Sequence, residues 1–141
     1  MSKYLLDTNI CIYFLKGQFD IHRRLEKVGV ENCYISEITL AELKYGVEKS
    51  TQVENNRLVL EKFERKFAII PIFSSLDIYA REKARLKTKG MILDDFDLLI
   101  GAAAIANDLI LATRNTSDFE RLKGINLEDW TRLKTDEINP G

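Results

Sequence analysis

The sequence predicts an α/β sandwich built on a mainly parallel sheet. Three observations predict it. Short apolar runs alternate along the chain with longer segments of helical periodicity, the pattern of strand and helix units that pack in layers. With 141 residues the chain suits one hydrophobic core. In DLLIGAAAIAND the apolar residues surround the helix instead of forming a stripe, so this helix lies buried close beside the sheet.

Residues 3–7 read as a short buried strand, and TNICIYFLKG continues as a helix that ends at Gly17. A second helix is expected over about 18–28, where Phe19, Ile21 and Leu25 recur among charges. NCYIS is a strand, and Ser36 caps a helix running through EITLAELKYGVEKS. QVENNRLVLEKFERKF is helical, with Val53, Leu58, Leu60 and Phe63 spread among charged residues. AIIPIF reads as a third strand, and Pro71 marks an edge or a strand end. A charged helix over 75–89 stops at Gly90 and the apolar helix DLLIGAAAIAND follows. LILAT is a fourth strand, SDFERL a short helix and INLEDW a last strand. No repeat or linker divides the chain, so one domain over residues 1–130 is expected, followed by a polar, loose tail over 131–141.

Composition removes several classes of function. A formal net charge of -1 gives no global attraction to nucleic acid or membrane, so any RNA or DNA contact must use a local basic surface. Cys11 and Cys33 stand apart in apolar surroundings without CxxC spacing, which reads as buried, reduced thiols. No apolar run is long enough to span a bilayer, and Asp7 and Asn9 interrupt the N-terminal segment before a signal-peptide core forms; a cytoplasmic protein is expected. His22 is the single histidine and lies in a polar amphipathic helix, which excludes a His-rich zinc site. Neither GxxxxGK[ST] nor GxGxxG occurs.

Four acids stand out: Asp7, Glu42, Asp97 and Asp118. Each has a local explanation. Asp7 is placed to cap the first helix, Thr39 and Glu42 have capping-box spacing, Asp97 lies in the first turn of the apolar helix, and Ser117 and Glu120 form a second box around Asp118. Their shared location weighs against four unrelated caps. Asp7 and Asp118 each follow a strand, and ligands of parallel sheets bind outside the carboxyl ends of the strands. Glu42 lies on the side of its helix that carries Ile38 and Tyr45, at the rim of the packed face. Carboxylates gathered at one edge repel unless a cation neutralises them, and hard oxygen donors suit Mg²⁺ or Mn²⁺. Water held by such a cation ionises more readily and attacks phosphorus, so phosphodiester hydrolysis is the expected reaction.

LLDTNI with Asp7, SEITLAEL with Glu42, FDLLIGAAA with Asp97 and LATRNTSDF with Asp118 resemble, in order and spacing, the motifs of PIN-domain ribonucleases. The resemblance covers about residues 3–130 and points to VapC-type toxins of bacterial toxin–antitoxin pairs. It implies a PIN-like three-layer α/β/α sandwich with a five-stranded parallel sheet, a homodimer, a VapB-type antitoxin partner, and Mg²⁺- or Mn²⁺-dependent cleavage of RNA. The acid quartet carries over as metal ligands and water activators, with Asn9, Thr113 and Asn115 supporting it by orienting carboxylates or water. The similarity of DTNICIYFLKG to enteric-type toxins favours tRNA, initiator tRNA included, as substrate. ILDDFD also offers Asp94 and Asp95, although the D-x-x-I spacing selects Asp97. Gly101 replaces the family's more frequent Ala, which permits close helix packing.

RNA must pass a basic rim to reach an acidic centre. Arg114 is the favoured phosphate contact, with Lys44, Lys49 and the run Arg81, Lys83, Arg85, Lys87 as further candidates; that run also fits a solvated helix face. Tyr4, Tyr13 and Tyr45 lie in apolar patterns that suit the core or a dimer contact better than base stacking. Two rival readings are a receiver-like Mg²⁺-binding signalling domain and a PIN-like binding module without activity. The first would need paired acids after the first strand, where Thr8 follows Asp7, and a Lys after LILAT, where none stands.

Overall fold

Tyr4–Leu6 forms strand β1 at the centre of a five-stranded sheet in a computed structural model that describes residues 2–132. The remaining strands are β2 (Cys33–Ser36), β3 (Ala68–Ile70), β4 (Ile110–Thr113) and β5 (Asn126–Asp129). Their spatial order is β3-β2-β1-β4-β5 and every pairing is parallel. The chain moves outward from β1 through β2 to β3, then returns to lay β4 on the other side of β1. The reversal falls between β1 and β4, and their carboxyl ends form the crevice where an open parallel sheet binds ligands. A receiver-like domain would show the order 2-1-3-4-5; that reading is excluded.

The helices are α1 (Thr8–Leu15), α2 (Ile21–Val28), α3 (Glu37–Glu48), α4 (Val53–Glu64), α5 (Leu76–Thr88), α6 (Asp95–Ala106) and α7 (Thr116–Phe119). Alternation along the strands divides the apolar residues into two cores. Tyr4, Leu6, Cys33, Ile35 and Ala112 face α1 to α4, where they meet Ile10, Leu25, Leu43, Leu60 and Phe63. Leu5 and Leu111 point the other way, into Leu86, Leu98, Ile100, Ala104, Phe119 and Leu122 of the second helical layer. A sheet covered on both faces explains why β1, β2 and β4 are largely apolar, while the edge strand β5 carries Asn126, Glu128 and Asp129. The result is the three-layer α/β/α sandwich.

Several expected boundaries shift, each for a local reason. AIIPIF is strand only through Ile70: Pro71 has no N–H for the ladder, and Phe73–Ser75 forms a single 3-10 turn. The second helix begins at Ile21, since Phe19 and Asp20 sit at φ 57° and 53°, outside helical space. The apolar helix begins two residues early, because Asp94 caps it by accepting from the Phe96 N–H at 3.1 Å. SDFERL shortens to α7, ending at Phe119. Gly101 does permit close packing: a Cβ there would stand 2.3 Å from Leu122 Cδ1. Cys11 and Cys33 are free and buried, and His22 is exposed. Residues 133–141 of the expected tail lie outside the described residues.

Candidate active site

β1 carries Asp7 to the end of the strand, where its N–H closes the ladder onto the Ala112 carbonyl at 2.9 Å. The side chain is only 3% exposed. One carboxylate oxygen accepts from the Thr8 N–H at 2.8 Å, capping α1. The other accepts from Thr113 Oγ1, also at 2.8 Å. Thr113 ends β4, so this hydrogen bond spans the crevice between β1 and β4. It takes a second hydrogen bond, from the Asn115 N–H at 3.0 Å, which fixes the turn leading to α7. Asp7 is therefore a helix cap and a member of the crevice together. Burial pushes its carboxyl above the usual range, the bonds from Thr113 and Thr8 oppose that, and Glu42 adds to it.

Glu42 reaches the crevice because α3 packs against both α1 and α6. Its Oε1 accepts from Thr8 Oγ1 at 2.7 Å. Thr8 Oγ1 also lies 3.0 Å from Thr39 Oγ1, which lies 3.3 Å from Ser36 Oγ. A hydroxyl has one proton and an ionised carboxylate only accepts. The directions follow from this: Ser36 donates to Thr39, Thr39 to Thr8, and Thr8 to Glu42. Ser36, Thr39 and Thr8 are all buried, so the row is shielded from competing water. The expected capping box at Thr39 and Glu42 is thus corrected. Ser36 is the cap, accepting from the Thr39 N–H at 3.0 Å, and Glu42 points out toward the crevice. The box at Ser117 and Glu120 is absent as well; α7 starts from Asn115 without a side-chain cap.

Asp97 stands in the first turn of α6, half-buried, with its carboxyl pushed up to about 6. Burial is the largest cause, followed by Asp7, Asp94, Glu42 and Asp118. None of these groups is a cation, and Asp7, Glu42 and Asp97 have no ion pair among the described residues. Asp118 is the outermost member: it acts least on Asp97 and has Arg121 at 3.7 Å. Asp94 belongs to the cluster electrostatically, whereas Asp95 turns away to Lys83 at 2.8 Å and the Tyr79 hydroxyl at 2.9 Å. Among the described residues no three His, Cys, Asp or Glu side chains are gathered closely enough to hold a metal ion between them.

The supporting residues divide. Thr113 touches Asp7 directly, and Asn115 reaches the site through its backbone N–H. Asn9 is half-buried one residue into α1, with no hydrogen bond to an acid among the described residues. Sequence reasoning passed over Thr8 and Thr39, and the signal was weak: both lie in first turns, where Thr is ordinary. Of the rim cations, Lys83 and Arg85 are engaged by Asp95 and Glu82, and Lys49 lies over the Tyr45 ring at 5.3 Å. Tyr4 is in the core as expected, but Tyr45 is 66% exposed, since the outer side of α3 leaves the sheet there.

The PIN-domain family pattern matches residues 4–125. Ribonuclease VapC2 of Rickettsia felis is 39% identical over 92% of this chain and 98% of its own length. The tRNA(fMet)-specific endonuclease VapC of Salmonella typhimurium is 35% identical over 92% of this chain and 99% of its own. The fold is similar to VapBC2 of Rickettsia felis bound to a DNA fragment from its promoter, with TM-score 0.84 and 37% identity over 90% of this chain and 98% of that one. It is likewise similar to DNA-bound VapBC of Salmonella typhimurium, with TM-score 0.86 and 35% identity over 92% and 99%.

Proposed function

The chain belongs to the PIN-domain family, among its VapC-type members, and on that footing we propose that it is a Mg²⁺- or Mn²⁺-dependent endoribonuclease, the toxin of a toxin–antitoxin pair. The observation that carries the proposal is the cluster of Asp7, Glu42, Asp97 and Asp118 outside the ends of β1 and β4, in which only Asp118 has an ion-pair partner, Arg121, among the described residues. The donor set is all oxygen and negatively charged, which fits a hard divalent cation. Mg²⁺ keeps several waters and asks for only one or two carboxylates directly, so a finished protein cage is not required. Bound there, the cation supplies an ionisable water and positive charge opposite the phosphate oxygens.

The residues of the chain do the rest. Thr113 and the Thr8 N–H hold both oxygens of Asp7, so that carboxylate has one orientation toward the crevice. Thr8 holds one oxygen of Glu42 and leaves the other free to accept from water or to meet the cation. Burial and the neighbouring acids raise the Asp97 carboxyl, a strain that a bound cation would relieve, so Asp97 would hold the cation beside Asp7 as a carboxylate. Asp118 faces solvent in part, and its side of the crevice is the proposed entry for RNA.

The substrate proposed is a structured RNA, with tRNA favoured, because relatives from Salmonella typhimurium and Shigella flexneri are named tRNA(fMet)-specific endonucleases. A VapB-type antitoxin is the proposed partner, since the similar solved structures are VapBC complexes; a homodimer is proposed as the active form, as the family resemblance implies. Cytoplasm is the proposed location, where that RNA resides; no helix among the described residues is long and apolar enough to cross a membrane.

Purified protein with Mg²⁺ or Mn²⁺ is expected to cut total cellular RNA into discrete fragments, and Asp7→Asn or Asp97→Asn to reduce the rate at least ~100-fold. Uncut RNA, or variants that cut as fast as the parent, would refute the nuclease. Expression alone is expected to arrest growth, and co-expression of a neighbouring small antitoxin to relieve the arrest.

A further inference from the structure

The turn between α1 and α2 has a backbone that local sequence does not favour. Phe19 and Asp20 are consecutive non-glycine residues in left-handed conformations, at φ 57° and 53°. Such conformations cost energy and persist where surrounding structure holds them, often at functional sites. What this turn presents is an aromatic ring: Phe19 is 44% exposed, while its neighbour in the fold, Tyr13, is half-buried against the first core. The two rings meet edge to face, with centroids 4.7 Å apart.

A cation completes the group. The Arg114 guanidinium lies 5.2 Å from the Phe19 centroid and 6.0 Å from that of Tyr13, and donates to the Tyr13 hydroxyl at 3.2 Å. Arg114 directly follows Thr113, whose hydroxyl holds Asp7. The guanidinium is thus anchored one residue along the chain from the crevice, and the acid that acts on it is Asp129 at the end of β5. An exposed ring joined to an exposed guanidinium is the composition that receives an unpaired nucleobase: the base stacks on the flat surfaces while remaining N–H donors meet the adjoining phosphate.

We propose that Phe19, Tyr13 and Arg114 form a stacking site for one unpaired base of the RNA substrate, beside the bond to be cut. This rests on the nuclease reading above. It assigns Arg114 a wider role than a phosphate contact: the residue joins the crevice to a base platform. Phe19 supplies the accessible ring, Tyr13 braces it, and Arg114 ties both rings to the end of β4. RNA with an unpaired segment is selected over fully paired duplex, whose bases are unavailable for stacking.

The test uses the non-cleaving Asp97→Asn protein and a short RNA hairpin with 2-aminopurine in its loop. Binding is expected to quench the fluorophore. Adding Phe19→Leu, which keeps the apolar bulk, is expected to weaken binding roughly 5- to 100-fold and abolish the quench. Phe19→Trp is expected to restore both, and Arg114→Lys to weaken binding while leaving circular dichroism unchanged. With Asp97 intact, Phe19→Leu is expected to raise KM with kcat within about twofold, as loss of uniform binding requires. Unchanged quenching and affinity in the Phe19→Leu protein would overturn the site. So would equal weakening toward fully paired RNA, or a loss confined to binding of the antitoxin, which would make this a protein-docking surface. RNA left uncut by the intact protein while the Phe19-dependent quench persists would refute the nuclease and leave the base site standing. Cutting without such a quench would refute the base site alone.

Discussion

At Glu42 the carboxylate depends on a neutral partner, the Thr8 hydroxyl 2.7 Å away. Thr8→Val keeps the shape and removes the donor, and cleavage is expected to fall about 10- to 100-fold, the usual effect of losing a group that orients a metal-ligating side chain. Thr8→Ser should retain most activity. Equal rates for Thr8→Val and the parent would show that Glu42 needs no such anchor. Asp97 carries the opposite tension. Its folded carboxyl titrates at about 6, against an ordinary 3.8, so the folded state holds the proton more tightly than the unfolded chain does. The associated stability is fully present below the unfolded value and is lost as pH rises through about 6. In chelator at about pH 7.5, Asp97→Asn is therefore expected to raise stability by about 1 kcal/mol, after discounting the full linkage value for solvent screening of a half-exposed group. Thermal unfolding against pH checks this, and the advantage should shrink toward about pH 4.5. A variant no more stable than the parent at neutral pH would contradict the crowding of negative charge.

At the scale of elements, the two candidate caps separate what sequence spacing could not. Ser36 starts α3 by accepting from the Thr39 N–H, and it begins the buried hydroxyl row that ends on Glu42. Ser36→Ala is expected to cost about 1–2 kcal/mol in a urea unfolding experiment. Ser117, exposed and without a cap hydrogen bond at the start of α7, should change stability by less than about 0.5 kcal/mol when replaced by Ala. Equal losses at both positions would mean that spacing, not geometry, decides. The helices are also tied by buried charge. Arg85 grips Glu82 with bonds of 2.7 and 2.8 Å, and Glu82 accepts from the Lys123 N–H at 2.7 Å, joining α5 to the segment after α7. Arg24, buried in α2, pairs with Glu128 of β5 at 3.3 Å.

At the scale of the molecule, the sheet order concentrates negative charge at one crevice. A folded protein that accepts a cation there gains stability that the unfolded chain cannot match. Mg²⁺ or Mn²⁺ at about a hundred times its dissociation constant is expected to stabilise the protein by about 2.7 kcal/mol, with chelator reversing the shift. Asp97→Asn should lose most of that response. Unfolding temperatures indifferent to either cation would count against the proposed metal site without touching the fold.

Much of this was legible in the sequence because it is local or periodic. Alternating strand and helix patterns determined the α/β class, and the acids of LLDTNI, SEITLAEL, FDLLIGAAA and LATRNTSDF marked strand and helix ends where a parallel sheet opens. Pro71 ended a strand and Gly101 admitted Leu122, each for a reason visible in one residue. Other features exist only across the fold. Thr8 meets Glu42 from 34 positions away and Thr113 meets Asp7 from 106. The left-handed turn at Phe19 brings a ring under Arg114, just past the end of β4. Sequence by itself determined which side chains bear charge and which segments form strands and helices, since propensity and burial act along the chain. Tertiary structure alone decided which acids crowd one another, which hydroxyl orients which carboxylate, and which ring meets Arg114, since hydrogen bonds and Coulomb forces depend on distance in space.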